Sequence, residues 1–343
     1  MLLWIDGFDN YGTSTGVAPQ PAGVMTRRYP RIMYEDIRFE VETGRLSGYA
    51  IQLIADTAGC FSPGPLTTDA TMVVGVALKF GALVNTDGLV RFYDGETLGV
   101  NLRLTSAGEL AVYRGTTVLG TTSGLGLQIN TWYYVELKVL CNDTTGTYEV
   151  HVGGVSVLSA TGVDTKAGSN AYHTTFWIFG YGSLCNPYFD DLYCLDGSGS
   201  ANNDFLGNMR VVTLRPNSDG DSSQFTPSAG SNYTCVDEVA LNDNTDYVES
   251  GTTDNKDLYN YENTSLTTIA GVAVCTDCRE TDADNMDLKI VCKSGDTESD
   301  GTAIPVQTSS FITKQRLLET DPNTSAAWTP TNLNAAQFGV KVG

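Results

Sequence analysis

The chain has 343 residues, enough for two domains at the usual size of roughly 100–200 residues each. Hydrophobic residues make up 41% and aromatics 10%, so it can bury real cores, and 36 glycines among many Ser, Thr, Asn and Asp residues point to tight turns. With 20 Lys and Arg against 40 Asp and Glu, the formal charge is −20, a field that repels nucleic acid and excludes it as the expected partner.

No stretch approaches the roughly 20 apolar residues of a membrane span, so membrane insertion is not expected. The opening Met1-Leu2-Leu3-Trp4-Ile5-Asp6 has no basic region, and its apolar run stops at Asp6. No secretion signal is read there, which predicts folding in a cytoplasm with all eight cysteines made as thiols.

In chain order, residues 2–9 alternate bulky apolar with acidic or small residues, the period of a half-buried strand. Similar strands are predicted at 71–80, at 89–94 after the hairpin dipeptide Asp87-Gly88, and at 100–104 and 110–114. Further strands fall at 131–139 and 148–152, at 176–180, and at 188–196, which closes the unit with the same character as its first strand. Residues 1–196 therefore read as an all-β sandwich whose first and last strands pair. Residues 197–204, small and polar, read as a linker. Behind it, 205–343 reads as a smaller β-sandwich with strands at 209–214, 233–239, 268–276, 287–293, 309–319 and 338–342, and a short helical turn near 332–337.

Candidate chemistry is sparse. The Glu-x-Asp-x-x-Glu strand that gives β-glucanases their nucleophile and acid is missing. Glu35-Asp36 and Glu40-x-Glu42 are the nearest acidic pairs, and a solvated edge explains Glu40 and Glu42 equally well. No Gly-x-Ser-x-Gly elbow or phosphate loop occurs, and His151 and His173 read as satisfied or exposed imidazoles. An enzyme is not expected. Cys275 and Cys278 would point to opposite faces of a strand, which disfavours metal chelation. They read as structural thiols, with a disulfide among Cys275, Cys278 and Cys292 as the alternative in an oxidising medium. Asn217-Ser218-Asp219-Gly220-Asp221 spaces oxygen ligands but misplaces the glycine for a calcium loop, so a plain turn is read. Tyr133, Tyr134, Tyr172, Trp177 and Tyr181 offer a platform for a glycan or a partner protein, with core packing the competing role, above all for Trp132 and Trp177.

Residues 4–9, 130–138, 148–154 and Phe189-Asp190-Asp191-Leu192-Tyr193 resemble the laminin-G-like, concanavalin-like jelly roll. The passages 189–207 and 319–342 resemble structural proteins of tailed bacteriophages. That resemblance implies a non-enzymatic virion protein, displayed on the particle surface as a decoration or fibre-like appendage. It would be homo-oligomeric and in contact with other virion proteins through residues 205–343. No cofactor is implied except Ca²⁺, for which Asp190 and Asp191 are the candidates because laminin-G-like domains often bind calcium through loop carboxylates. The alternative function is a carbohydrate-binding adsorption module whose jelly roll grips a host surface glycan.

Overall fold

The computed structural model describes residues 1–11, 22–33, 38–54, 58–181, 185–239, 243–281, 286–306 and 310–343. The chain divides into two compact units, Met1–Val211 and Val212–Gly343.

The first unit runs β1 (Leu2–Asp6), helix α1 (Ala22–Arg28), β2 (Arg31–Met33), β3 (Arg38–Thr43), β4 (Tyr49–Ile54), β5 (Ala58–Ser62) and β6 (Thr71–Lys79). It continues with β7 (Val90–Asp94), β8 (Thr97–Leu104), β9 (Leu110–Arg114), β10 (Thr117–Thr121), β11 (Tyr133–Leu140), β12 (Gly146–Val152), β13 (Val155–Val163), β14 (Thr175–Tyr181) and β15 (Tyr188–Asp196). Among the described residues, these strands form two antiparallel sheets. One is ordered β13-β12-β11-β6-β15-β4-β3 with β1 also on β15, and the other is ordered β10-β9-β8-β7-β14-β5-β2. Alternate residues from the two inner faces, such as Val74, Val76, Leu137, Leu102, Phe92, Phe176 and Phe189, make one continuous core. The all-β sandwich and the pairing of its first and last strands are as the sequence predicts.

Strand β15 changes partners in mid-course. Tyr188 and Phe189 pair with β4, and residues from Leu192 onward pair with β1. The change is made by a bulge at Asp190 and Asp191, where Asp191 takes φ 52°. Both carboxylates turn inward onto Arg45. Asp190 accepts the Arg45 backbone N–H at 2.7 Å, and Asp191 accepts its Nε at 2.8 Å. The same guanidinium reaches Asn208 and the Met209 carbonyl and lies over the Tyr134 ring.

These contacts correct the expected linker. Phe205 stacks on His151 with ring centroids 3.8 Å apart, and Gly207 N–H donates to Glu136 at 2.8 Å. Val211 N–H donates to Asp191 at 2.7 Å. The segment 205–211 thus belongs to the first unit as a strap on its sheet, and the unit boundary follows Val211 instead of falling at 197–204. Small polar residues suggest a tether, but the side chains and N–H groups just beyond them are the ones the sheet uses.

The second unit holds β16 (Pro216–Ser223), β17 (Thr226–Pro227), β18 (Val248–Glu249), β19 (Lys256–Tyr261), β20 (Val272–Cys278), β21 (Asp287–Ser294), β22 (Thr297–Asp300), β23 (Ile304–Pro305), β24 (Ile312–Leu318), helix α2 (Pro330–Ala335) and β25 (Gln337–Val342). A sheet ordered β16-β19-β25-β21-β22 packs Ile290, Cys292 and Phe338 against Val274 and Leu318 of the β20–β24 ribbon, with Trp328 and Leu333 closing the core. Two predicted strands differ here. Residues 209–214 make no ladder, and Asn232–Cys235 form a 3₁₀ turn. The expected turn around Gly220 is instead strand β16, because a Cβ at Gly220 would stand 2.7 Å from the Leu258 carbonyl oxygen and only glycine permits that approach.

Two outcomes test this arrangement. A chain ending at residue 204 loses the donors from Gly207 and Val211 and should unfold at clearly lower urea than one ending at 211; equal midpoints would restore the linker. Arg45→Met leaves Asp191 buried without its cation and should cost about 3 kcal/mol in urea unfolding.

Candidate functional site

Strand parity splits the residues of the second sheet. On β14, Phe176 and Ile178 enter the core, so Thr175, Trp177 and Phe179 face outward. By the same alternation Arg91 and Tyr93 face out from β7, Asn101 and Arg103 from β8, and Tyr113 from β9. The register then sets Trp177, Arg91, Asn101 and Tyr113 side by side across four neighbouring strands.

The row is tightly built. The Arg91 guanidinium lies 3.4 Å from the Phe179 ring centroid, and Trp177 meets Tyr93 at 5.7 Å. Arg103 lies 3.9 Å over the Tyr113 ring, donates from Nε to Asn101 at 2.7 Å and donates to the Gly115 carbonyl at 3.0 Å. Trp177, Phe179 and Cys60 form a buried apolar floor apart from the main core. Arg91, Tyr93, Arg103 and Tyr113 are half-buried around it. A floor of rings with guanidinium groups at its rim suits a ligand with apolar C–H faces and many oxygens.

The tyrosines singled out from sequence are not brought together. Tyr133 leans on the main core, and its hydroxyl accepts from Gln128 N–H at 2.9 Å. Tyr134 is buried on the outer face of the first sheet and donates to the Asp191 carbonyl at 3.0 Å. Tyr172 is half-buried in the loop before β14, and the Tyr181 side chain lies outside the described residues. Trp177, for which core packing is the competing expectation, is on the outer face. Sequence reasoning misses Arg91, Tyr93, Asn101, Arg103 and Tyr113, although their signal is present: each sits at the polar phase of an alternating strand.

The first sheet presents its outer face differently, because the strap 205–211 lies on it. Beside the strap, Lys79 sits 3.9 Å from the Tyr188 ring centroid and 5.0 Å from that of Trp132, and burial lowers the lysine pKa.

The calcium candidates Asp190 and Asp191 are already engaged within the chain. Backbone N–H groups and Arg45 occupy them, and burial followed by the Asp191 charge pushes Asp190 up to about 8, so it tends to hold a proton. Among the described residues, no group of three or more His, Cys, Asp or Glu is arranged to hold a metal ion. Asp221 pairs with Lys293, and Asp219 accepts the Tyr233 N–H at 2.8 Å. Cys278 and Cys292 stand unbridged in this structure. Cys275 lies opposite Gln315 and Cys278 opposite Ile312, three residues apart on one strand, and burial pushes Cys278 and Cys292 each up to about 12. Glu35 and Asp36 lie outside the described residues, as does the side chain of Glu40.

No protein-family model matches the chain, and no curated protein matches it. Similar solved structures include an endo-β-1,4-glucuronan lyase from the fungus Trichoderma reesei, at 10% identity over 50% of this chain and 92% of that one, with a TM-score of 0.38. The alginate lyase Aly36B aligns at 13% identity over 56% and 96% of the two chains, with a TM-score of 0.42. A Trypanosoma rangeli sialidase aligns at 11% identity over 47% and 28%, with a TM-score of 0.33. Likeness at this level concerns the β-sandwich fold alone. The non-enzymatic virion protein expected from sequence has no counterpart among these neighbours, which are two lyases and a sialidase, and that expectation is not carried further. The missing carboxylate pair tested only hydrolysis by paired acids.

His173 supplies a separate test of packing around the site. It is buried beside Phe92, and burial pushes its pKa down to about 4 despite the Asp94 charge. The unfolded imidazole protonates near its ordinary 6.5, so unfolding takes up a proton between those values and stability falls as pH drops through the window. His173→Phe should remove about 2 kcal/mol of that loss at pH 5, read from urea midpoints of both proteins at pH 7 and 5. Asp190 works in the opposite direction, and comparison at matched pH cancels it.

Proposed function

We propose that the sandwich formed by residues 1–211 binds carbohydrate on the outer face of its second sheet. The observation that carries this reading is the row Trp177, Arg91, Asn101 and Tyr113 on four adjacent strands, backed by Tyr93, Phe179 and Arg103. Aromatic rings pack against the C–H faces of a pyranose, while guanidinium groups take up its hydroxyl and ring oxygens. A flat sheet face accepts an extended polymer, since successive strands repeat every ~4.8 Å, close to one sugar ring. The glycan-directed alternative drawn from sequence is therefore retained, but through this face and not through Tyr133 and Tyr134.

The expected result is retardation of the full chain in gels containing a soluble polysaccharide. Tyr113→Ala should weaken that binding about tenfold or more, in line with loss of an aromatic anchor. Loss of binding on Lys79→Ala with Tyr113→Ala unaffected would move the site to the first sheet. Release of fragments during the incubation would extend binding to turnover.

A further inference from the structure

The outer face of the second sheet contains two buried N–H donors with no acceptor, Trp177 Nε1 and Arg91 Nε. They belong to residues directly opposite each other in the β14–β7 register, on the same side of the sheet. Trp177 is only 4% exposed, so water does not readily satisfy its indole. Arg91 makes no ion pair among the described residues, and its one hydrogen bond goes to the Asp87 carbonyl at 2.8 Å. Its charge rests on the Phe179 ring, 3.4 Å from the ring centroid.

Adjacent buried donors left unpaired in a folded protein call for an acceptor that the chain does not itself provide. In a chain of formal charge −20, a guanidinium without a carboxylate partner is notable, because acidic side chains are abundant enough to neutralise it. A neutral hydroxyl could satisfy one N–H but would leave the guanidinium charge uncompensated in a half-buried setting. An anionic group compensates the charge as well and accepts through charge-assisted bonds.

Resting on the carbohydrate-binding reading above, we infer that Arg91 and Trp177 form a subsite for the anionic group of an acidic sugar, a carboxylate or a sulfate ester. Tyr113 and Arg103 would then line the neighbouring sugar position.

The test titrates the full chain with a soluble polyuronate, with the same polymer after its carboxyl groups are reduced to alcohols, and with a sulfated neutral glucan. The expected result is that reduction weakens binding about tenfold or more, the loss that follows removal of a charged hydrogen-bonding partner. Trp177→Phe keeps the ring and removes only the N–H. It should weaken binding to the preferred acidic polymer about tenfold, and binding to the reduced polymer by a smaller factor. Arg91→Gln should act in the same direction, and unchanged urea midpoints for either variant confirm that the fold is intact. Preference for the sulfated glucan over the polyuronate supports the subsite with a sulfate ester as its occupant. Equal affinity for the polyuronate and its reduced form, with no gain on sulfation, overturns the subsite but leaves carbohydrate binding standing. The subsite is likewise overturned if Trp177→Phe binds the acidic polymer as tightly as the parent chain does. No binding to any of the three polymers overturns both.

Discussion

The carboxylates of Asp190 and Asp191, held on Arg45, are the constraint on which the first unit depends. A single strand must pair with β4 and then β1 along the same edge, and those partners arrive from different parts of the chain. The bulge at Asp191 makes the change possible by turning two successive carboxylates onto Arg45, whose backbone N–H answers Asp190 and whose guanidinium answers Asp191. Buried charge of this kind adds little net stability against an apolar alternative but strongly penalises any arrangement that separates the partners. The hairpin turn after β3 obeys the same requirement. Gly48 takes φ 68°, and a Cβ there would stand 2.0 Å from Asp9 Oδ1, the oxygen that accepts the Tyr49 N–H. Asp6 plays a parallel part at the start of the chain, accepting from Tyr29 at 2.8 Å and pairing with Arg28 at 3.0 Å.

That knot also decides which face of the sandwich is covered by its own chain. By binding Asn208, Met209 and Val211, it draws the strap across the first sheet. Glu136, Tyr193 and His151 are covered in consequence. Glu136 is fully buried, with one oxygen held by Tyr193 and Gly207 and the other 3.8 Å from His151. Burial and the Glu136 charge raise the Tyr193 pKa far above the ordinary phenol value, so this hydroxyl stays a donor. The second sheet carries a different set: arginines lying on rings, and donors the chain leaves unpaired. One sandwich thus uses its polar residues in two ways, closing one face with its own chain and laying arginines on rings across the other.

Much of the fold was legible because strands announce themselves by period. The alternation of Val90, Phe92, Val100, Leu102, Leu110 and Val112 with polar neighbours identifies the core-facing set without any knowledge of pairing. Helix α1 went unread because seven residues carry too few turns for a helical period to show. β16 went unread because Asp219-Gly220-Asp221 imitates a turn, and only its neighbour β19 shows why glycine is there. The site was half legible in the same sense. Tyr113 and Arg103 are visibly outward residues, but the four-strand row requires register, and register is a property of pairs of strands rather than of either alone.

Composition and periodicity by themselves determined an acidic, all-β chain whose first and last strands in the leading unit match, because the burial of alternate side chains is written residue by residue. Tertiary structure alone decided that Asp190 and Asp191 bind an arginine, that 205–211 is a strap, and that Trp177 meets Arg91. Each of those outcomes depends on which distant groups share a volume from which water is excluded. Local pattern does not encode that, whereas the bulge, the register and the closing of the sheet do.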